Sequence, residues 1–284
     1  MILVWINRRD HRWSSFYKMF AALALTDFLG VLLTYPFAIM RYISDFTYCF
    51  PIKICESISF VMVDAHLAAA LLICALSFDR LLVLINPYHY RSRDLGRRYV
   101  VVIIAIWLFS SVFSMLQLVG VGKAELYFPG SWCYFDFVKP SIGSLFSAYF
   151  YSVVSFSIIL ITVVVNVFTM WKICHDPAAK GTLLDSSLVS GYYDSHVIVF
   201  IIAVTISFVA TCTPLIVDIF LHALELRTEN NDLEMWFERL TFLNAIIDPW
   251  LYIVLRKESI RRIILLYRAL RNPVSPEEEC LLER

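Results

Sequence analysis

Charge is scarce in this chain. Only 17% of its 284 residues are Asp, Glu, Lys or Arg, where a soluble domain carries about a quarter. Twenty-four basic residues balance twenty-four acidic ones, so no net field points to nucleic acid. Internal repeats and low-complexity tracts are lacking. So are His-Glu-x-x-His, Gly-x-Ser-x-Gly and any paired metal-binding His motif, which removes the sequence signatures of hydrolases and metalloenzymes. The chain is therefore expected to be no enzyme and to carry no cofactor or catalytic metal. No Asn-x-Ser/Thr sequon occurs, and the leading "MILVWI" lacks the basic flank and small-residue cleavage site of a signal peptide. The inverted repeats of secondary transporters are also not found, which places a transporter or channel behind the reading developed below.

What the chain has in abundance is apolar surface: 60% hydrophobic residues and a mean hydropathy of +0.70. That surface must face something other than water. Stretches reaching the ~20 residues needed to cross a bilayer are read at Phe16–Tyr42, Ile54–Ile85, Tyr99–Val121, Ile142–Trp171, His196–Leu221 and Leu233–Leu255. The opening residues look like the stump of a further helix. Basic residues set the orientation. Eighteen of the 24 Lys and Arg fall on the side holding the first, third and fifth connections and the tail. That side is expected to be cytoplasmic, C-terminus included. Three regions follow: a transmembrane domain over 1–257, an amphipathic surface helix over 258–271, and a tail over 272–284. In the second, "RKESIRRIILLYRALRN" gathers Ile260, Ile263, Ile264, Tyr267 and Leu270 on one face.

This topology puts Cys49, Cys55 and Cys133 on the outside, where disulfides persist. A Cys55–Cys133 bridge from helix top to the longest outer loop is expected, with Cys49 as the competing partner. Charges within spans are costly and mark function by default. Asp27 sits in "LALTDFLG", Asp79 and Arg80 in "LSFDRLL", and Asp248 beside Pro249 in "DPWLY". Pro36 and Pro214 lie within two further spans, and all three prolines are expected to kink their helices. Arg239 lies seventeen residues before Arg256, about 25 Å along a helix, toward the outer leaflet. Asp248 is nine residues further along and falls on the opposite face, whereas Asn244 and Asp248 share a face at i,i+4.

"LALTDFLG", a cysteine twenty-five residues before the arginine of "DRL", Trp107, Pro214 and "DPWLY" together resemble the rhodopsin-like G-protein-coupled receptors. More narrowly, "FPGSWCYF" and "RLTFLNAIIDPWLY" are similar to the prostanoid receptors, which pair an outer-loop Pro-Gly-Thr-Trp-Cys motif with an arginine upstream of Asp-Pro-Trp. The resemblance spans about Asn7 to Lys257 and implies an all-α rhodopsin-like bundle with six full spans and a first-helix stump. It also implies a ligand: a small lipid carboxylic acid. A guanidinium in greasy surroundings needs an anion, and its planar fork fits a carboxylate. Arg239 is the expected anchor. By resemblance Tyr42 and Ser131, the latter in place of the family's threonine, complete the clamp. An ion pair from Arg239 to Asp218 or Glu238 is the competing, purely structural reading.

On the inner side, resemblance gives Asp79 and Arg80 the role of a releasable ion pair, with Leu81 in place of the usual aromatic; Asp194, twenty residues before Pro214, is read as a solvated acid at a helix start, with a second tether as the alternative. Asp27, Asn244, Asp248, Pro249 and Tyr252 match a polar chain linking the ligand site to the cytoplasmic face. Met62 stands where aminergic receptors have their acid, which argues against an amine ligand; Asp64 and His66 lie nearby. Ala245 replaces a proline in "NAIIDPW", and Phe242 a common serine. The implied function is a prostaglandin E2-like receptor in the plasma membrane that activates a heterotrimeric, stimulatory G protein and raises cyclic AMP. A rhodopsin-like receptor for another lipid or a peptide is the alternative.

Overall fold

The computed structural model describes residues 15–49, 51–85, 95–138, 142–175, 195–228 and 230–255. Six long helices carry it: α1 (Ser15–Ile43), α2 (Ile52–Ile85), α3 (Leu95–Leu116), α4 (Ile142–His175), α5 (Ser195–Ala223) and α6 (Asn231–Leu255). These match the six apolar stretches to within a turn or so at each end. Five of them, α1 to α5, are long and apolar enough to cross a membrane. The sixth expected span forms its helix but falls short in composition, because Asp232, Glu234, Glu238, Arg239 and Asp248 interrupt it. All six expected spans are present as helices, and α6 packs against α5 and α1 within the bundle.

The central element is α2, whose 34 residues reach about 51 Å. It packs against α1, α3, α4 and α5 and against a small hairpin. Its middle, "LAAALL", is buried from Leu67 to Ala70 and again at Leu72 and Ile73. Small side chains there let neighbouring helices approach closely, as membrane packing favours. Two apolar clusters divide the core. One gathers Leu23, Leu72, Ile73, Leu76, Val204 and Phe208 from the helices; the other joins Val63, Leu215 and Ile219 to the aromatics of the hairpin. Pro36, Pro214 and Pro249 all lie inside continuous helices.

The hairpin arises where α3 ends in a π-helical turn, Gln117–Val121. Strand β1 (Ala124–Tyr127) pairs antiparallel with β2 (Trp132–Phe135), Tyr127 opposite Trp132. All four residues of β2 are buried. The Tyr127 hydroxyl closes the base of the ribbon: it donates to Phe135 O and accepts from Phe137 N, both at 3.0 Å. Burial pushes the Tyr127 phenol well above its ordinary range, so it stays a neutral donor and acceptor. At the tip, Gly130 N donates to Tyr127 O at 2.7 Å, and Gly130 has φ +92°. The Cys55–Cys133 disulfide ties β2 to the top of α2, as expected from compartment; Cys49 is exposed and unbridged. The first-helix stump, the surface helix 258–271, the tail 272–284 and Asp194 lie outside the described residues.

Candidate functional site

Consecutive residues on a helix point about 100° apart, and the last turn of α1 uses this to send two side chains to different tasks. Arg41 turns inward and is buried. Its Nε donates to Gly130 O at 2.7 Å, and its Nη1 donates to Tyr48 O. The guanidinium also lies 5.6 Å from the centre of the Phe46 ring. Arg41 therefore pins the tip of the hairpin to the end of α1. Tyr42 instead faces α6. There the Arg239 Nη2 donates to the Tyr42 hydroxyl at 2.9 Å, across 197 residues of sequence.

Arg239 projects from the exposed side of α6, with its guanidinium 5.5 Å from the centre of the Trp236 ring. A guanidinium offers five N–H donors in a plane. Tyr42 takes one, and among the described residues no acid forms an ion pair with Arg239. The structural alternative finds no support at Asp218, which sits 2.7 Å from Arg227 Nη1; the buried Glu238 feels the Arg239 charge without forming a direct ion pair with it. Ser131 lies half-buried in the hairpin turn and, among the described residues, makes no hydrogen bond to Arg239 or Tyr42. The structure thus joins two members of the expected trio and leaves the third apart.

One turn below Arg239, Phe242 packs edge-on against Tyr35 at 5.2 Å and faces His66 at 6.2 Å. The His66 and Phe242 rings stand at the wall of a small cavity of about 30 Å³ between α1, α2, α5 and α6, lined also by Thr34, Met62 and Phe208. Asp27 and Asn244 line its deeper part. Asn244 Nδ2 donates to Asp248 Oδ2 at 3.2 Å, the i,i+4 pairing read from sequence. All three of these polar residues are buried, while Arg239 on the opposite face is not. Pro249 follows Asp248 within α6. Of Tyr252 only the backbone is described, in the last turn of α6.

At the far end of α2, Arg80 Nε donates to Asp79 Oδ2 at 2.9 Å. Asp79 is buried, and it also accepts from the Tyr99 hydroxyl of α3. Helix α3 is further fixed by Trp107 Nε1, which donates to Thr26 Oγ1 of α1 at 3.0 Å. Asp64 of α2 faces α3 as well: Ser110 and Ser111 donate to its Oδ1 at 2.7 and 3.1 Å.

Six helices around a buried polar thread, five of them long and apolar enough to cross a membrane, with a disulfide-tethered hairpin at one end, define a helical membrane bundle. Residues 1–252 match the family described as 7 transmembrane receptor (rhodopsin family), and the chain belongs to that family. It is a receptor family rather than an enzyme family, and a multi-pass membrane one. Among curated proteins the chain is similar to the prostaglandin E2 receptor EP4 subtype of Rattus norvegicus, 24% identical over 91% of this chain and 62% of that protein. It is also similar to the prostaglandin E2 receptor EP3 subtype of Bos taurus (26%; 92% and 68%) and to the prostacyclin receptor of Rattus norvegicus (28%; 90% and 63%). The chain spans about three-fifths of the length of the EP4 relatives it matches. Squid rhodopsin superposes with a TM-score of 0.74 at 16% identity, covering 96% of this chain and 81% of that one, a likeness of fold.

Sequence reasoning missed the role of Arg41, whose contacts with Gly130 and Tyr48 depend on where the hairpin sits. It also missed the hairpin, although "ELYFPGSWCYF" carries the signal: two aromatic runs flanking a Pro-Gly turn. Tyr99 as a partner of Asp79 left no trace in the sequence, because that contact depends on how α3 lies against α2.

Proposed function

We propose that this chain captures a small lipid carboxylic acid of the prostaglandin E2 type and relays its binding to a heterotrimeric G protein. The observation that carries the reading is Arg239. Its guanidinium is steadied by the Tyr42 hydroxyl at 2.9 Å, forms no direct ion pair with an acid among the described residues, and stands one turn from Phe242, which lines the small cavity. A carboxylate would meet the open edge of that fork, with Tyr42 as a second donor and Ser131 as a third after movement of the hairpin turn. The acyl chains would descend past Phe242 and His66. The names of the relatives support a prostanoid as the lipid.

Signal relay would run through Asp27, Asn244, Asp248, Pro249 and Tyr252 to the Asp79–Arg80 pair, whose opening frees Arg80 for the G protein. A stimulatory G protein raising cyclic AMP, residence in the plasma membrane and a cytoplasmic C-terminus complete the proposal. The test is tritiated prostaglandin E2 binding to membranes, with surface antibody labelling as control. A charge-assisted hydrogen bond contributes about 1.5–3 kcal/mol, so Arg239→Ala should weaken binding by about 10- to 150-fold at equal surface level. Tyr42→Phe should weaken it by less. An Arg239→Ala variant that binds as the unaltered chain does would refute the clamp. Binding of a different lipid or a peptide from a ligand panel, with none of prostaglandins, would favour the alternative receptor class.

A further inference from the structure

Near the hairpin, where α5 gives way to α6, three metal-ligating side chains converge away from both sites described above. Asp218 and His222 stand at i,i+4 on one face of α5, and Glu234 projects from the first turn of α6. Their relative exposures are 0%, 4% and 2%, which is extreme for ionisable groups. His222 Nε2 lies 3.5 Å from Glu234 Oε1 and 3.9 Å from Asp218 Oδ2. One potential ligand atom from each residue falls within 4.8 Å of the others.

Each carboxylate is held by a partner outside the trio. Arg227 Nη1 engages Asp218 Oδ1 at 2.7 Å, and the Asn230 backbone N–H donates to Glu234 Oε1 at 3.1 Å. The imidazole is oriented by Phe137, whose ring lies 5.8 Å away at a steep angle. Such outer partners are what fix ligand geometry at metal sites. Asp218 Oδ2, fully buried and directed toward His222, accepts no hydrogen bond. A buried carboxylate oxygen without a donor is costly, and a cation between the three side chains would satisfy it.

The donor set selects the ion. One imidazole nitrogen with two carboxylate oxygens suits a zinc-class divalent ion, whereas calcium and magnesium favour all-oxygen shells. Zinc ligands at about 2.0–2.2 Å in a tetrahedron lie roughly 3.4 Å apart, so the 3.5 and 3.9 Å spacings to His222 need only a small contraction, while the two carboxylate oxygens, within 4.8 Å of each other, draw together on the ion. We propose that Asp218 Oδ2, His222 Nε2 and Glu234 Oε1 bind a zinc-class divalent cation, with solvent at a fourth position. The ion cross-links α5, which carries Pro214, to α6, which carries Arg239. The site stands independently of the proposed lipid ligand.

The test uses the purified full chain in lipid nanodiscs, titrated with zinc chloride against a chromophoric chelator, alongside thermal unfolding with and without zinc. One saturable ion per chain and a zinc-dependent rise in unfolding temperature are expected. Glu234→Gln and His222→Phe should each weaken binding at least about 100-fold and abolish the thermal shift, and magnesium or calcium should not substitute. Absence of saturable zinc binding, or tight binding retained in either variant, overturns the proposal. Should both variants fail to fold, X-ray absorption of the zinc-loaded unaltered chain decides. One imidazole with oxygen neighbours supports the site; a sulfur ligand or several imidazoles overturns it.

Discussion

Replacing Gly130 by Ala tests whether the hairpin is held by Arg41. Gly130 has φ +92°, a backbone conformation costing a side-chain-bearing residue roughly 1–2 kcal/mol. A Cβ built there would stand 2.6 Å from Arg41 Nη2. The guanidinium must then move, and its bonds to Gly130 O and Tyr48 O weaken with it. Hydrogen bonds to charged groups contribute about 1.5–3 kcal/mol each. Losing one to both of them, with the backbone strain, sums to roughly 2.5–8 kcal/mol. At 2–4 °C per kcal/mol, the detergent-solubilised chain should unfold at least about 5 °C lower. In an Arg41→Ala background the obstruction is gone, and Gly130→Ala should cost only the backbone part. The assay is a double-mutant cycle in thermal unfolding, followed by thiol-reactive dye at the buried Cys212. Equal losses in both backgrounds would show that Arg41 does not clamp the turn, and the reasoning would fail.

Two further expectations can be checked alongside. Cys133→Ser opens a loop closed across 78 residues, which by loop entropy removes about 4.5 kcal/mol; surface antibody signal should fall steeply, and unchanged surface level and unfolding temperature would count against a structural role. Asp79→Asn removes the charge that holds Arg80, so basal loading of a labelled GTP analogue on the G protein should rise without added ligand. Unaltered basal exchange would separate that pair from signalling.

Much of the architecture was legible because the bilayer imposes a length and a polarity on each helix. The six apolar stretches, the compartment of Cys55 and Cys133, and the i,i+4 pairing of Asn244 with Asp248 all follow from local composition and helical period. The meeting of Tyr42 with Arg239 came from resemblance, since 197 residues of chain separate them and no local rule relates their positions. Ser131 was grouped with them on the same ground, and the turn that carries it sits where Arg41, unanticipated, holds it.

The sequence by itself determined where helices run, which residues cannot face lipid without a partner, and which cysteines lie where a bridge survives. Those properties are set by near neighbours along the chain. Which buried charge meets which was decided only by tertiary structure: Asp218 with Arg227 rather than Arg239, Asp79 with Tyr99, and His222 between two carboxylates. The physical reason is that polar side chains in a dry interior are satisfied by whatever donor the helix rotations bring within about 3 Å, and those rotations are a property of the whole bundle.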